Sequence, residues 1–409
     1  MPTRLLTFAL IAVALGCTDS TEPERVLLPG QFVSVSAGRY HACAVDTLGR
    51  GWCWGGNQSG QSGADAIVTV PVSPAPIQTP LRFTTITAGS THSCGLTADG
   101  TAYCWGDNNF GQLGAPTSAT CLGGAPCSST PLAVSGGHQF KAITGGAYGT
   151  CAITVNDVLK CWGYQGFNSA IFLASPTTVR FPATGDSVWS MVGHTDGGLN
   201  GCGLATGAVA ACWGLNHYGQ LGVGVISSTR SNPVAVSIDA VIKSVSSGSG
   251  YTCALTSLGD AYCWGLSVRG ALAVGADAPA TPCNTSAPDA CFAAPKQVIG
   301  GRKYSQLTVG YEHVCGLDIE SSEAWCWGSN TYFAIGAQSL ATTPVALSPF
   351  AAASGTKYTS LSAGRLFTCG VMQDRNISCW GFNAFGQLGR SSDEIFATPL
   401  AVLVAPAFQ

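Results

Sequence analysis

The sequence predicts an all-β chain, a seven-bladed β-propeller of four-stranded blades, and three features predict it. The tripeptide Cys-Trp-Gly occurs seven times, with its cysteine at Cys53, Cys104, Cys161, Cys212, Cys263, Cys326 and Cys379, in steps of 51, 57, 51, 51, 63 and 53 residues. Self-similarity at such a period marks a repeat architecture, in which each unit is one supersecondary element. Within each unit lie four short β-prone runs separated by glycine turns, the pattern of hairpin-linked strands repeated radially. Finally, charged residues are only 10% of the 409 and hydrophobic residues 46%, with 53 glycines, a composition opposite to that of a disordered chain. Seven tandem units of this kind close into one ring.

The N-terminus precedes the first unit and reads as an export signal. Arg4 supplies a positive region, and Leu5 to Leu15 is an apolar run of 11 residues, too short to span a bilayer and suited to a signal core. It ends in Ala14-Leu15-Gly16-Cys17, which resembles a bacterial lipoprotein signal, so lipidation of Cys17 is expected. The expected organisation is a signal peptide over 1–16, a lipidated cysteine and polar tether over 17–25, and the propeller over 26–409. Localisation follows as an exported cell-envelope lipoprotein, at the outer membrane or cell surface.

The second unit shows the elements in order. Phe83 to Gly89 is an inner strand and its turn, His92 to Thr97 a second strand, Thr101 to Gly106 a third, and Thr130 to Val134 a fourth. Between the second and third strands, Ala98-Asp99-Gly100 is a three-residue hairpin loop with a left-handed last position, taken without steric cost by Gly100, Gly49 and Gly259 and tolerably by Asp157. Centring the loop on Asp99 sets Cys94 opposite Cys104. The same logic pairs Cys43 with Cys53, Cys151 with Cys161, Cys202 with Cys212, Cys253 with Cys263, Cys315 with Cys326 and Cys369 with Cys379. Opposed residues on antiparallel strands lie within disulfide range, and an exported chain favours the bond. Cys121 with Cys127 and Cys283 with Cys291 staple two insertions, Ala115–Thr130 and Ala276–Pro295, which leaves Cys17 as the odd one of 19 cysteines. Zinc is disfavoured, because ten-residue spacing with no histidine cluster is not a ligand pattern. Strands from the two termini, Arg25 to Pro29 and Pro399 to Val404, are expected to complete one blade and seal exposed edges.

The pattern Ala-Gly-x-x-His-x-Cys, then Cys-Trp-Gly-x-Asn-x-x-Gly-Gln-Leu-Gly, resembles the regulator of chromosome condensation repeat. Gly-Gln-Leu-Gly stands intact at Gly111–Gly114, Gly219–Gly222 and Gly386–Gly389, with a first copy at Gly60–Gly63. The resemblance covers residues 30–405 and implies the family's seven-bladed propeller. Family members act as exchange factors, light sensors or interaction platforms, so it implies a scaffold without naming its partner.

His41, His92 and His313 occupy a position held elsewhere by Gly149, Tyr251 and Phe367, which marks packing rather than chemistry. The seven Cys-Trp-Gly tryptophans read as contacts between blades. The turns after each Ala-Gly vary while their frames do not, and loops on a rigid scaffold are where binding resides. Arg39, Tyr40, Tyr148, Tyr311, Glu312 and Arg365 in these turns are therefore the candidate partner-binding residues, arginine and tyrosine being enriched at interface hot spots. Phe110, Tyr218, Tyr332 and Phe385 occupy the neighbouring Asn-x-x-Gly turns. No catalytic, cofactor-binding or metal residues are assigned. Acidic residues such as Asp107, Asp196, Glu312 and Asp393 are scattered, against the convergent carboxylates of a lyase or hydrolase. The net charge of −3 without a basic cluster argues against nucleic acid. The expected function is a monomeric, non-enzymatic, lipid-anchored extracytoplasmic scaffold for an unknown protein partner, touching the membrane only through its N-terminal lipid. A carbohydrate-binding propeller or a propeller lyase or hydrolase is the alternative.

Overall fold

The computed structural model describes residues 32–64, 71–164, 172–179, 189–193, 200–275, 278, 280–283, 290–337, 345–352, 354–390 and 396–402. The signal, Cys17, the tether and Arg25 to Pro29 lie outside these residues. Seven four-stranded antiparallel sheets form a ring, each built from strands consecutive in the chain. The first comprises β1 (Phe32–Ala37), β2 (His41–Asp46), β3 (Gly51–Gly55) and the short β4 (Ala75–Pro76). The seventh comprises Tyr358–Ala363, Phe367–Met372, Ile377–Gly381 and Phe396–Ala401. It therefore already has four strands of its own. The expected blade shared between the termini is corrected for the described residues: the ring closes by laying β1 against the seventh blade. Phe32 N–H donates to Arg375 O (3.0 Å), Arg365 N–H to Gly38 O (3.1 Å), and Ala37 N–H to Ser362 Oγ (2.9 Å).

The hairpin geometry is as the spacing requires. Cys43 faces Cys53 and Cys94 faces Cys104 in register, and the odd eleven-residue spacing still opposes Cys315 and Cys326. All seven blade pairs are bonded with Cα atoms 4.0–4.1 Å apart, and Cys121–Cys127 and Cys283–Cys291 are bonded in the insertions. Gly49, Gly100, Gly259 and Asp157 all take the left-handed conformation, with φ between 64° and 85°. The blade cystines are buried between neighbouring sheets, as are the seven Cys-Trp-Gly tryptophans.

Those tryptophans hold the blades together. The indole N–H of Trp105 donates to Gln61 O of the preceding blade (3.0 Å), Trp162 to Gln112 O (2.9 Å), Trp264 to Gln220 O (2.9 Å) and Trp327 to Ala271 O (3.0 Å). Trp54 of the first blade donates to Gln387 O of the seventh (2.9 Å), so the same bond closes the ring. The Asn-x-x-Gly-Gln-Leu-Gly motif is the receiving bracket. In the fourth blade Asn216 Oδ1 accepts from Leu221 N–H and Gln220 Oε1 from Tyr218 N–H, which frees the Gln220 carbonyl for the indole. Leu221 is buried beside Trp264. Gly222, at φ 70°, lies so close that an added Cβ would stand 2.6 Å from Trp264 Nε1.

The inner strands line a central cavity of about 420 Å³. An innermost strand has one unpaired edge, and hydroxyls of the adjacent blade cover it. Ser36 Oγ accepts from Ala88 N–H, Thr87 Oγ1 from Gly145 N–H and Thr308 Oγ1 from Ala363 N–H, all at 2.8–2.9 Å. Gly364 of an Ala-Gly turn approaches the next blade so closely that a Cβ there would meet Gly38 O at 2.4 Å.

Replacing Trp264 by alanine removes both the clasp and a fully buried indole, and is expected to destabilise the fold by roughly 3–5 kcal/mol. Denaturant unfolding of the variant checks this, with a wild-type midpoint as the contrary outcome.

Candidate functional site

Chain direction divides the ring into two faces. One, the turn face, carries the Ala-Gly turns and the Gly-Gln-Leu-Gly brackets; the other, the hairpin face, carries the tips such as Ala98-Asp99-Gly100. All six candidate residues lie on the turn face and are half-buried. Four form one contiguous seam across the junction of the sixth, seventh and first blades. The Arg39 guanidinium lies 4.9 Å from the Tyr40 ring centroid, Arg365 Nη1 lies 3.5 Å from Tyr40 Oη, and the Arg365 guanidinium lies 4.8 Å from the Tyr311 ring centroid. Cation–π contacts of this kind hold long side chains in place while leaving donors outward. The backbone beneath is tied blade to blade, Arg39 N–H to Gly89 O and Tyr311 N–H to Gly364 O.

Aromatic side chains from the bracket turns widen the seam. Phe385 meets Tyr40 edge-on at 4.9 Å, Phe382 meets Phe385 at 6.2 Å, and Tyr332 meets Phe382 at 4.9 Å. Glu312 joins from the side, 3.5 Å from Arg269 Nε, and Arg269 Nη1 also donates to Thr331 Oγ1 (2.7 Å). Tyr148 does not join this group. It belongs to a second aromatic cluster with Phe110 (5.0 Å) and Tyr164 (6.5 Å) on the third blade. The sequence reading passed over Phe382 and Arg269. The position after Cys-Trp-Gly, which is Phe382 here and Tyr164 in the third unit, carried the available signal. The longer turn at 194–199 lies outside the described residues.

The histidines are structural. His41 Nε2 pairs with Ser93 Oγ (2.7 Å), His92 Nε2 with Thr150 Oγ1 (2.9 Å) and His313 Nε2 with Thr368 Oγ1 (2.8 Å), each reaching the next blade. The hydroxyls pass the contact on: Ser93 donates to Gln61 O and Thr150 to Gln112 O, the carbonyls that also receive the indoles. Burial, with the nearby His92 adding to it, pushes His41 down to about 3, and burial pushes His313 down to about 4. Asp107 serves its own turn, accepting from Asn109 and Gln112, and Glu312 is paired, so neither is poised for acid–base work. Asp196 and Asp393 lie outside the described residues. Among the described residues no group of three histidine, cysteine, aspartate or glutamate side chains is placed to hold a metal.

Fold and face together define a class: a disulfide-stapled, seven-bladed propeller whose variable turns gather on one rim of a rigid ring. Its units are regulator of chromosome condensation (RCC1) repeats, with models of that repeat matching residues 32–61, 83–112, 242–271 and 358–387, and also 99–153 and 212–255. The chain is 27% identical to the ultraviolet-B receptor UVR8 of Arabidopsis thaliana over 313 residues, covering 74% of this chain and 66% of the receptor. It is 28% identical to the human regulator of chromosome condensation over 288 residues, covering 64% of this chain and 68% of that protein. It thus spans about two thirds of the length of these relatives. Among solved structures, yeast RCC1 (Prp20) bound to Kap60 superposes with a TM-score of 0.72 at 18% identity, covering 98% of this chain and 91% of that one. Human WBSCR16 gives a TM-score of 0.72 at 16% identity, covering 84% of this chain and 87% of that one. At such identity these two structures share the fold.

His41 and His313 give a pH expectation. Both are neutral when folded but take up a proton below about 6.5 when unfolded, so the unfolded state binds more protons in that window. Stability is expected to fall as pH drops from about 6.5 toward 4, by about 1.4 kcal/mol per histidine per pH unit. Urea midpoints between pH 7 and pH 5 measure it. His313→Gln is expected to flatten the slope.

Proposed function

We propose that this protein is a lipid-anchored, extracytoplasmic, non-enzymatic scaffold that docks a protein partner on the turn face of its ring. The observation that carries the reading is the seam of Arg39, Tyr40, Arg365 and Tyr311, flanked by Phe385, Phe382 and Tyr332. Rigid aromatics and outward guanidinium donors on a fixed frame are the side chains that anchor protein interfaces, because little conformational entropy is lost on binding. Relatives of the same architecture support a docking role: yeast RCC1 was solved with Kap60 bound, and the Saccharomyces cerevisiae protein is described by its binding to Gsp1p and histones. The anchor rests on the sequence ending in Cys17 and on cysteine pairing, which leaves that thiol as the one without a counterpart. Nine disulfides suit an oxidising compartment.

Changing Arg39, Tyr40, Tyr311 and Arg365 together to alanine is expected to abolish capture of the partner in crosslinking pull-downs from the native envelope. Stability should move by no more than about 0.5 kcal/mol per position. Retained capture by the folded variant would remove the turn face from consideration. Replacing Cys17 by serine is expected to release the protein from the membrane fraction without acyl chains, and partition into detergent like that of the wild type would refute the anchor.

A further inference from the structure

The hairpin face carries a feature that partner docking on the turn face does not use. Hairpin tips are normally polar, yet five of the seven here present an exposed aliphatic side chain: Leu48, Val155, Val209, Leu258 and Ile319. Leu258 is 76% exposed and Leu48 66%. Val241, in the connection entering the fifth blade, adds a sixth, and its carbonyl accepts from Ser257 N–H beside Leu258. Adjacent tips adjoin across blade boundaries, since a Cβ on Gly259 would lie 2.9 Å from Ile319 Cδ1. Single exposed aliphatics are ordinary on a protein surface, but a ring of them at equivalent positions on one face marks an interaction surface.

The charges beside these tips are internally matched. Lys141 pairs with Asp157, Lys303 with Asp260 and Arg302 with Asp318, so the face presents apolar tips among neutralised pairs rather than a field of one sign. The chain also enters the ring at this face. Phe32, the first residue of β1, stands opposite Asp46 at the hairpin end of β2 and bonds to Arg375 in the hairpin tip of the seventh blade. Cys17 lies only 15 residues before Phe32, a reach of at most about 50 Å when fully extended.

We propose that the hairpin face is a lipid-contacting surface, its aliphatic tips seated in the headgroup layer of the bilayer that holds the anchor, with the turn face directed away. The proposal rests on the Cys17 anchor. The anchor alone confines the ring near the membrane without orienting it, whereas the tips orient it by burying apolar area at the interface. A surface without net charge suits zwitterionic lipid as well as anionic lipid, unlike a polybasic patch.

The test reads depth and orientation separately from attachment. Full-length protein purified from the envelope is reconstituted into phosphatidylcholine vesicles with brominated acyl chains, as Leu258→Trp, Leu48→Trp and Tyr332→Trp variants against the parent. Quenching of the added tryptophan is expected in the first two and not in the third, which lies on the turn face. Absence of quenching at both tips, or equal quenching at position 332, overturns the proposal. If the tips stay unquenched but Leu258→Ser with Leu48→Ser reduces crosslinking to envelope proteins, the surface belongs to a protein instead. The mass of the N-terminal peptide reports the anchor independently. Should it carry no acyl chain, the anchor reading fails, and the same variants coupled through the Cys17 thiol to a maleimide lipid give the orientation result on their own.

Discussion

One bond, from the tryptophan indole of each blade to a turn carbonyl of the blade before it, organises the rest of the molecule. For Trp264 to reach Gln220 O, the turn must be held open by its own Asn216 and Gln220 side chains, and its last residue must be glycine to let the indole pass. The cystine beside each tryptophan joins the two middle strands of its sheet, so the indole is presented at a fixed height. The buried hydroxyls of Ser93, Thr150, Thr252 and Thr368 share the same turn carbonyls or their equivalents and complete their hydrogen bonding. Motifs far apart in sequence are thus halves of one joint, repeated round the ring.

Much of this was legible in the sequence, because a repeat multiplies weak local signals. The cross-strand cystines followed from counting residues to a left-handed glycine, a constraint set by backbone sterics alone. What Gly-Gln-Leu-Gly does was not legible, since its partner is the tryptophan of the next unit and no local rule links the two. Closure was misjudged for a related reason. A leading apolar run and a trailing strand invited pooling into one sheet, but Phe396–Ala401 already completes the seventh blade. At the candidate site, turn position told which residues share a face, while their grouping depended on which blades adjoin across the closing junction. Tyr148 was separated from Tyr40 by that geometry and by nothing in its own turn.

The two faces differ in chemistry in a way that suits separate duties. The turn face holds cations against aromatic rings over backbone tied from blade to blade, which makes it stiff. Its extra features, the stapled loop closed by Cys121–Cys127 among them, are decorations of the outer circumference rather than of the seam. The hairpin face has its charges spent on one another and its aliphatic side chains outward. A ring with such opposed surfaces can hold one duty constant while the residues serving the other drift.

Closure without a shared sheet has a mechanical consequence. Six of the seven blade junctions are crossed by the covalent chain, while the seventh is bridged only by side chains and hydrogen bonds such as Ala37 to Ser362 and Trp54 to Gln387. Tension applied at the N-terminus enters through β1, the strand that forms this junction. A pull transmitted along the tether therefore loads the one seam that has no backbone to share it, and the ring yields there before any cystine bears force.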